Sequence, residues 1–399
     1  MSDLKVIVVG GGIVGMFAAY YLVRSGSDVS IIERNSRIEG ASAYNSGLVS
    51  PSSTSTPTIT RWQLVKALTG LSAPITFSPI QVMRNLKFFR EALRGGLGRS
   101  DEIIIELATK SLELHREFLR TESPEVDIAL GVLSVYNKLS NAENHQKAGG
   151  ELIRPDALLK MGYRSGGAVF HKDEISMNPM KMCAYLRSKL SDMGATILTG
   201  TEANIVRDGN VPMIGVDGKK IHGDVYVLAA GSWTPQLCSS LGYKLPILPA
   251  RGFAMLYNTG GAQIVQHPAI FEDLGITIAQ NGQNLLRATS FFEMVGFDNR
   301  FNRRRREWLA KIVRTHLSGN LKLSAIGYGF RPCACDQLPV LGKVPGHNNF
   351  YVATGHCRLG LTLAPITGSA LTSMITGEPS PYADLSAISP SRFPWPNSR

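Results

Sequence analysis

Three glycines and one carboxylate carry the clearest chemical signal in the chain. Gly10, Gly12 and Gly15 stand at G-x-G-x-x-G spacing, and Glu33 follows about 20 residues later. That pattern suits an adenine dinucleotide. The first glycine permits a sharp turn, the second lets a pyrophosphate approach the backbone, and the third lets a helix pack close to its strand. Ile13 and Val14 open that helix, whose N–H groups and positive dipole end face the anion. Glu33 is placed to accept both hydroxyls of an adenosine ribose, with Arg34 beside it.

The elements that must hold these residues surround them. Leu4–Val9 is a short apolar run rich in β-branched residues, as a strand buried on both faces should be. Ile13–Ser25 reads as a helix and Asp28–Ile32 as a second strand ending at the acid. A competing reading takes the uncharged run Val6–Val23, between Lys5 and Arg24, as a membrane span or signal peptide, because roughly 18 such residues suffice. The glycine spacing, the immediate second strand and the lack of a small-residue cleavage site oppose it.

At 399 residues the chain is long enough for two domains, and its apolar fraction of 44% is that of a globular protein. A net charge of +11 fits nucleic acid, a membrane surface or anionic ligands. No helix-turn-helix, zinc knuckle or basic–aromatic alternation accompanies it, which argues against nucleic acid. Five cysteines without a secretion signal are expected as reduced thiols in the cytoplasm. The run Arg303–Arg306 is either a solvated helix start or a docking patch for an acidic partner or anionic lipid, such as the inner face of the cell membrane. The histidines His115, His145, His171, His222, His267, His316 and His347 show no nucleophile or metal pattern, and no metal site is expected.

Ser36–Ser55 is rich in small residues, which marks a linker or a loop laid along a cofactor. Helical spacing follows at Trp62–Thr69, Gln81–Leu93 and Asp101–Thr121. Asn178 and Pro179 cap and open a helix to Met193, and buried strands follow to Val225–Ala230 and the turn Gly231-Ser232-Trp233. From Arg251 to about Leu323 the pattern is alternating and turn-rich, as in an antiparallel sheet, with a helix at Arg303–Leu317. Pro365–Thr376 reads as a closing helix and Glu378–Arg399 as an extended tail.

Five segments together resemble the flavin-dependent amine and amino-acid oxidoreductases of the D-amino-acid oxidase type, in particular D-amino-acid dehydrogenase small subunits, with a glycine-oxidase-like C-terminal end. They are the opening unit through Glu33-Arg34, ASAYNSGLVSP (41–51), VLAAGSWT (227–234), LLRATSFFEMVGFD (285–298), and the pair GFRPCACDQLPVLG (329–342) with YVATGHCRLGLTLAPITG (351–368). The resemblance implies an α/β fold: a discontinuous, glutathione reductase-like Rossmann-type FAD domain (1–65, 145–250 and 325–380) and an antiparallel-sheet α+β substrate domain (66–144 and 251–324), with 381–399 as a tail.

It also implies non-covalently bound FAD. The expected cofactor contacts are Gly10, Gly12, Ile13, Val14, Gly15, Glu33, Arg34, Ala41, Ser42, Asn45, Ser46, Gly47, Leu48, Ala203, Gly231, Arg331, His356, Arg358, Leu359, Gly360, Leu361 and Thr362. The turn Gly355–Gly360 and Arg358 would stabilise negative charge at the flavin N1–C2=O edge. Arg331, the arginine of G-x-R-P, would take a substrate α-carboxylate as a fork. Tyr328 and Tyr257 are candidate hydroxyls near it, or core residues. The implied reaction is oxidative deamination of a D-amino acid, or of a D-proline or hydroxyproline-type secondary amine, by hydride transfer from Cα to flavin N5, without a protein base. A glycine- or sarcosine-type oxidase is the alternative. Electrons would pass to a quinone, a dye-like acceptor, a partner protein or oxygen, and the chain is either an enzyme alone or the flavin-bearing subunit of a hetero-oligomer. Thr289-Ser290 replace the family's Gly-Gly and are expected near the flavin. Cys333, Cys335 and Cys357 are expected to gather there as core thiols, as a disulfide or redox switch, or as a covalent flavin link.

Overall fold

A computed structural model describes residues 4–54, 67–68, 74–94, 97–147, 149–209, 211–380, 382 and 384–393. Four of the five residues of strand Lys5–Val9 are buried, and it lies inside a six-stranded sheet. The strand order is Val340–Lys343, Phe350–Thr354, Val225–Leu228, Lys5–Val9, Asp28–Glu33, Thr196–Thr199. All neighbours pair in parallel except the first two. The apolar runs recognised in the sequence are the central strands, because a parallel sheet is covered on both faces. Helices Ile13–Arg24, Pro179–Asp192 and Gly360–Thr376 pack on one face in a common core with Leu97–Glu122. Asn178 caps its helix as expected: its side chain accepts from the N–H groups of Met180 and Lys181.

A second, ten-stranded sheet forms the other half. Its path runs Lys322–Ala334, Ile247–Asn258, Leu285–Met294, Ile276–Gln280, Ala269–Phe271, Ala129–Tyr136, Gly167–Ser176, Leu48–Val49, with Ile75–Phe77 and Glu151–Ile153 paired at its sides. It is mostly antiparallel; Ala269–Phe271 with Ala129–Tyr136, and Ile75–Phe77 with Leu285–Met294, are parallel pairs. Helix Arg303–His316 covers part of it through Leu309 and Val313. Ala203–Asp208, Val211–Val216 and Lys219–Ile221 form a separate three-stranded sheet.

Several expectations change. Strands 151–153 and 167–176, read by sequence as part of the dinucleotide half, pair in the large sheet. Most of the expected Trp62–Thr69 helix lies outside the described residues. The expected Gln81–Leu93 helix is two helices, Pro79–Arg84 and Leu86–Arg94, separated at Asn85. The closing helix begins at Gly360, so Pro365 sits inside it rather than opening it. The tail is not simply extended. Ile388 and Phe393 are buried, and the Arg392 guanidinium donates to both carboxylate oxygens of Asp336 at 2.7 and 3.1 Å. No helix among the described residues is long and apolar enough to cross a membrane.

Candidate active site

A cavity of about 740 Å³ runs between the two sheets. At one end lie Glu33, Arg34, Glu202 and Ala203, in the middle the glycine turn, and at the other end Arg331, His356 and Arg358. The glycine turn has the geometry a pyrophosphate needs. Gly10 has φ +115°, and a Cβ there would sit 2.4 Å from the Ala229 carbonyl oxygen. The Gly11 N–H donates to Glu33 Oε2 (2.8 Å) and the Asn35 N–H to Oε1 (2.9 Å), so the carboxylate is fixed at the strand end facing the cavity. Arg34 stacks its guanidinium 3.6 Å from the ring centre of Trp233, which also lines the cavity.

The small-residue loop forms the next wall. Ala41, Ser42 and Asn45 line the cavity. The Ser42 hydroxyl accepts from the Ile13 N–H (2.9 Å) at the helix start. Asn45 donates to the Ser42 carbonyl (2.7 Å) and accepts from the Gly47 N–H (2.7 Å), which locks the loop's curve. Beneath it Arg287, fully buried, donates to the carbonyls of Ala43 (2.8 Å) and Asn45 (3.2 Å); burial lowers its pKa to about 10.

Strand Lys322–Ala334 brings the far end together. Alternation puts Gly327, Gly329 and Arg331 on the face toward this loop. A Cβ on Gly329 would lie 2.4 Å from the Ala41 Cα, and one on Gly252 of the neighbouring strand 2.1 Å from an Arg331 guanidinium nitrogen. The missing side chains let the loop pack flat and give the arginine its place. Opposite Gly252, strand Leu285–Met294 carries a bulge, since Arg251 pairs with Glu293 but Phe253 with Ser290. There Phe291 adopts φ +73°, and its carbonyl accepts from Arg331 Nη1 (2.7 Å). Glu293 is held by Arg251 (2.7 Å) and by Arg305. Among the described residues Arg331 therefore has no carboxylate partner. Burial, then the nearby Arg358, lower its pKa to about 10. Arg358, exposed at the edge of the cavity, donates to the carbonyls of Ser53 (2.8 Å) and Thr54 (2.7 Å). Two cations thus lie at one end of the cavity, where Arg331 faces it and Arg358 also feels the carboxylates of Glu272 and Asp101.

His356 lies in the same wall, with Nε2 2.9 Å from the Thr367 hydroxyl; burial lowers its pKa to about 4, so it is neutral at pH 7. Gly231, Gly360 and Leu361 also line the cavity. Ser46, Gly47, Leu48, Leu359 and Thr362 do not. Leu48 is tied into the large sheet, and the Thr362 hydroxyl donates to its carbonyl (3.2 Å). Tyr328 touches the cavity, but its ring packs on Phe253 and Phe330, on the strand face opposite Arg331. Tyr257 is not at the site: it is buried in the core of the large sheet with its hydroxyl toward the Met255 sulfur. Thr289 and Ser290 are buried away from the cavity, and the Ser290 hydroxyl donates to the Gly275 carbonyl (2.9 Å). Not all the cysteines are reduced thiols: Cys333 and Cys357 form a disulfide, while Cys335 is a buried thiol whose pKa burial pushes up to about 12.

The glycine turn, the fixed carboxylate and the paired cations fit an adenine dinucleotide whose far end carries a group that becomes anionic. Residues 5–374 match the model of a family described as FAD dependent oxidoreductase. The chain belongs to this family. Its cofactor is therefore FAD, and it is an oxidoreductase of amino acids or amines. It is 25% identical over 412 aligned positions to a D-amino acid dehydrogenase of Vibrio vulnificus, covering 94% of this chain and 97% of that protein. Its fold is that of a glycine oxidase from Geobacillus kaustophilus (TM-score 0.77, 20% identity, 98% and 99% of the two chains). It is also that of an L-proline dehydrogenase from P. horikoshii (TM-score 0.73, 17% identity, 98% of each chain).

Sequence reasoning missed Gly252, Trp233, Arg287 and the Phe291 bulge. An isolated glycine in the apolar strand pattern ARGFAM was the available signal for Gly252, because such a glycine marks close approach. Nothing local announces Arg287, whose role depends on a loop more than 240 positions away.

Proposed function

We propose that the protein oxidises the Cα–N bond of a D-amino acid, or of a D-proline or hydroxyproline-type secondary amine, as a dehydrogenase. The observation that carries this reading is Arg331, a guanidinium facing the cavity with no carboxylate partner among the described residues, beside Arg358. Arg331 takes the substrate carboxylate as a fork, and the Phe291 carbonyl fixes the guanidinium plane. The adenosine end is held by Glu33 and the pyrophosphate by the turn Gly10–Gly15. FAD, when bound, supplies the acceptor for the hydride leaving the substrate carbon. The amine must give up its hydride as the neutral base, so its own basicity sets the acid side of the rate profile, with turnover falling as the pH drops below the amine pKa. The preference for D-isomers and for a dehydrogenase over an oxidase draws support from the Vibrio relative.

Anaerobic mixing of the flavoprotein with a panel of D- and L-amino acids, prolines and N-methyl glycine tests the reading through the flavin band at about 450 nm. Bleaching by D-isomers is the expected result. Bleaching only by L-isomers or by glycine refutes the D-preference, and no bleaching by any member refutes the activity. Reoxidation by air far slower than by a quinone is expected of a dehydrogenase.

A further inference from the structure

The end of the cavity that holds Arg331 and Arg358 is closed by a covalent bond. Cys333 lies two residues after Arg331 in strand Lys322–Ala334; Cys357 lies between His356 and Arg358 in the turn before the last helix. Their disulfide joins the strand to the turn. The other direct ties there are a β-bridge between Cys333 and His356 and the Cys357 N–H donating to the Pro332 carbonyl (2.8 Å).

Three features show that the turn is under load. Cys357 has φ +49°, a left-handed conformation that costs a non-glycine residue free energy and persists only where its surroundings enforce it. The two arginines lie close enough to repel one another, and that repulsion adds to burial in lowering the pKa of Arg331. Each is anchored to a different element, Arg331 to the Phe291 carbonyl and Arg358 to those of Ser53 and Thr54. The disulfide is the covalent link that keeps the two anchors in register.

The two sulfur-bearing residues also differ in access. Cys333 is 3% exposed, whereas Cys357 is half-buried and lines the cavity. An attacking thiol therefore reaches Cys357, through the same opening a substrate uses. A thiolate of a small dithiol bonds to Cys357 Sγ; the Cys333–Cys357 bond breaks, and its electron pair leaves on Cys333, which takes up a proton. The dithiol's second thiolate then displaces Cys357, which leaves as a thiolate and is protonated, while the dithiol ends as a disulfide.

We propose that the Cys333–Cys357 disulfide is a reducible clasp that sets the spacing of Arg331 and Arg358, so that opening it weakens carboxylate binding while the cofactor stays bound. This rests on the reading of Arg331 as the carboxylate site. The Cys183, Cys238 and Cys335 thiols are buried and take no part.

The test begins with thiol counting on the unfolded protein without reductant. Three of the five cysteines are expected to react, and all five after reduction. Five at the outset overturns the clasp. The native flavoprotein is then titrated with benzoate, a carboxylate probe read through the flavin spectrum, before and after dithiothreitol. Reduction is expected to raise the dissociation constant about tenfold, as when one charged hydrogen bond of a pair loosens, without releasing flavin. In turnover KM rises while kcat changes little. The double variant Cys333→Ser/Cys357→Ser should bind like the reduced protein and ignore dithiothreitol. Equal benzoate affinity before and after reduction of the wild-type chain overturns the proposal whether or not the variant folds, and so does flavin release on reduction. Arg331→Ala separates the two claims. If it abolishes benzoate binding and reduction does nothing, the clasp alone fails; if it leaves binding intact, the carboxylate site itself is wrong.

Discussion

Arg331 concentrates the functional claim in one side chain. Among the described residues it keeps a single hydrogen bond to protein, to the Phe291 carbonyl, and its guanidinium lines the cavity. An arginine that serves only stability would be paired with the nearest buried carboxylate, Glu293, yet that group is taken by Arg251 and Arg305. Arg331→Ala is therefore expected to leave the fold and FAD in place and to lower kcat/KM by roughly 10²–10³-fold, the scale of one truncated charged pair. Arg331→Lys should recover only part of the loss, because a point charge cannot reproduce the fork. Steady-state kinetics with the best substrate of the panel checks both, and normal turnover by Arg331→Ala would remove the assignment. Tyr328→Phe should change kcat/KM by less than about threefold, since its ring lies on the other strand face and no substrate hydrogen bond is lost.

At the level of elements, the flat contact between the small-residue loop and strand Lys322–Ala334 separates two glycines by what their new side chains would meet. In Gly252→Ala the added carbon meets the far end of the flexible Arg331 side chain, so the guanidinium moves and the fold does not. KM should rise about tenfold with an unchanged melting temperature. In Gly329→Ala it meets the Ala41 backbone, which must shift bodily. That variant should lose roughly 1–3 kcal/mol of stability and bind FAD poorly. Thermal melts and flavin content after purification distinguish the two; equal behaviour would contradict the packing described. The opening strand, turn, helix and acid were legible because all their determinants lie within 34 positions, and so was the arginine of the G-x-R-P segment. Tyr257 was misplaced for the opposite reason. Its distance from the cavity follows from which face of the Ile247–Asn258 strand the helix Arg303–His316 covers, which local spacing does not encode. The same holds for Thr289 and Ser290: Thr289 pairs with Thr277, and the Ser290 hydroxyl bonds Gly275, both across a strand pair. The disulfide was one of three open readings, since only the fold brings positions 333 and 357 together.

Across the whole molecule, the last helix couples the two halves to pH. Two histidines are buried against it: His115, whose Nε2–H donates to the Leu361 carbonyl (2.9 Å), and His356, beside the Thr367 hydroxyl. Burial lowers the pKa of each from 6.5 to about 4. The unfolded chain therefore binds protons at these sites between pH 6.5 and 4 that the folded chain refuses. Folded stability is fully present above pH 6.5 and falls as pH drops toward 4, by an amount on the order of 3 kcal/mol per histidine. Glu174 works the other way. Burial raises its pKa against the bonds from Ser50 and Ser52, so its cost to folding eases on acidification. Burial raises the pKa of Glu272 in the same sense, but it lowers that of His171, and the Arg300 guanidinium holds the Asp298 carboxyl low, so the balance is still a net loss in acid. Melting temperature should thus be flat from pH 8 to 7 and decline steadily below 6.5, with flavin release tracking unfolding because both histidines brace the helix whose first turn lines the cavity. His115→Gln keeps a donor for the Leu361 carbonyl but cannot ionise, so it should make that slope shallower. A melting temperature that holds constant from pH 6.5 to 4, or a His115→Gln slope equal to that of the unmodified chain, would show that these imidazoles do not govern the acid limit of the fold.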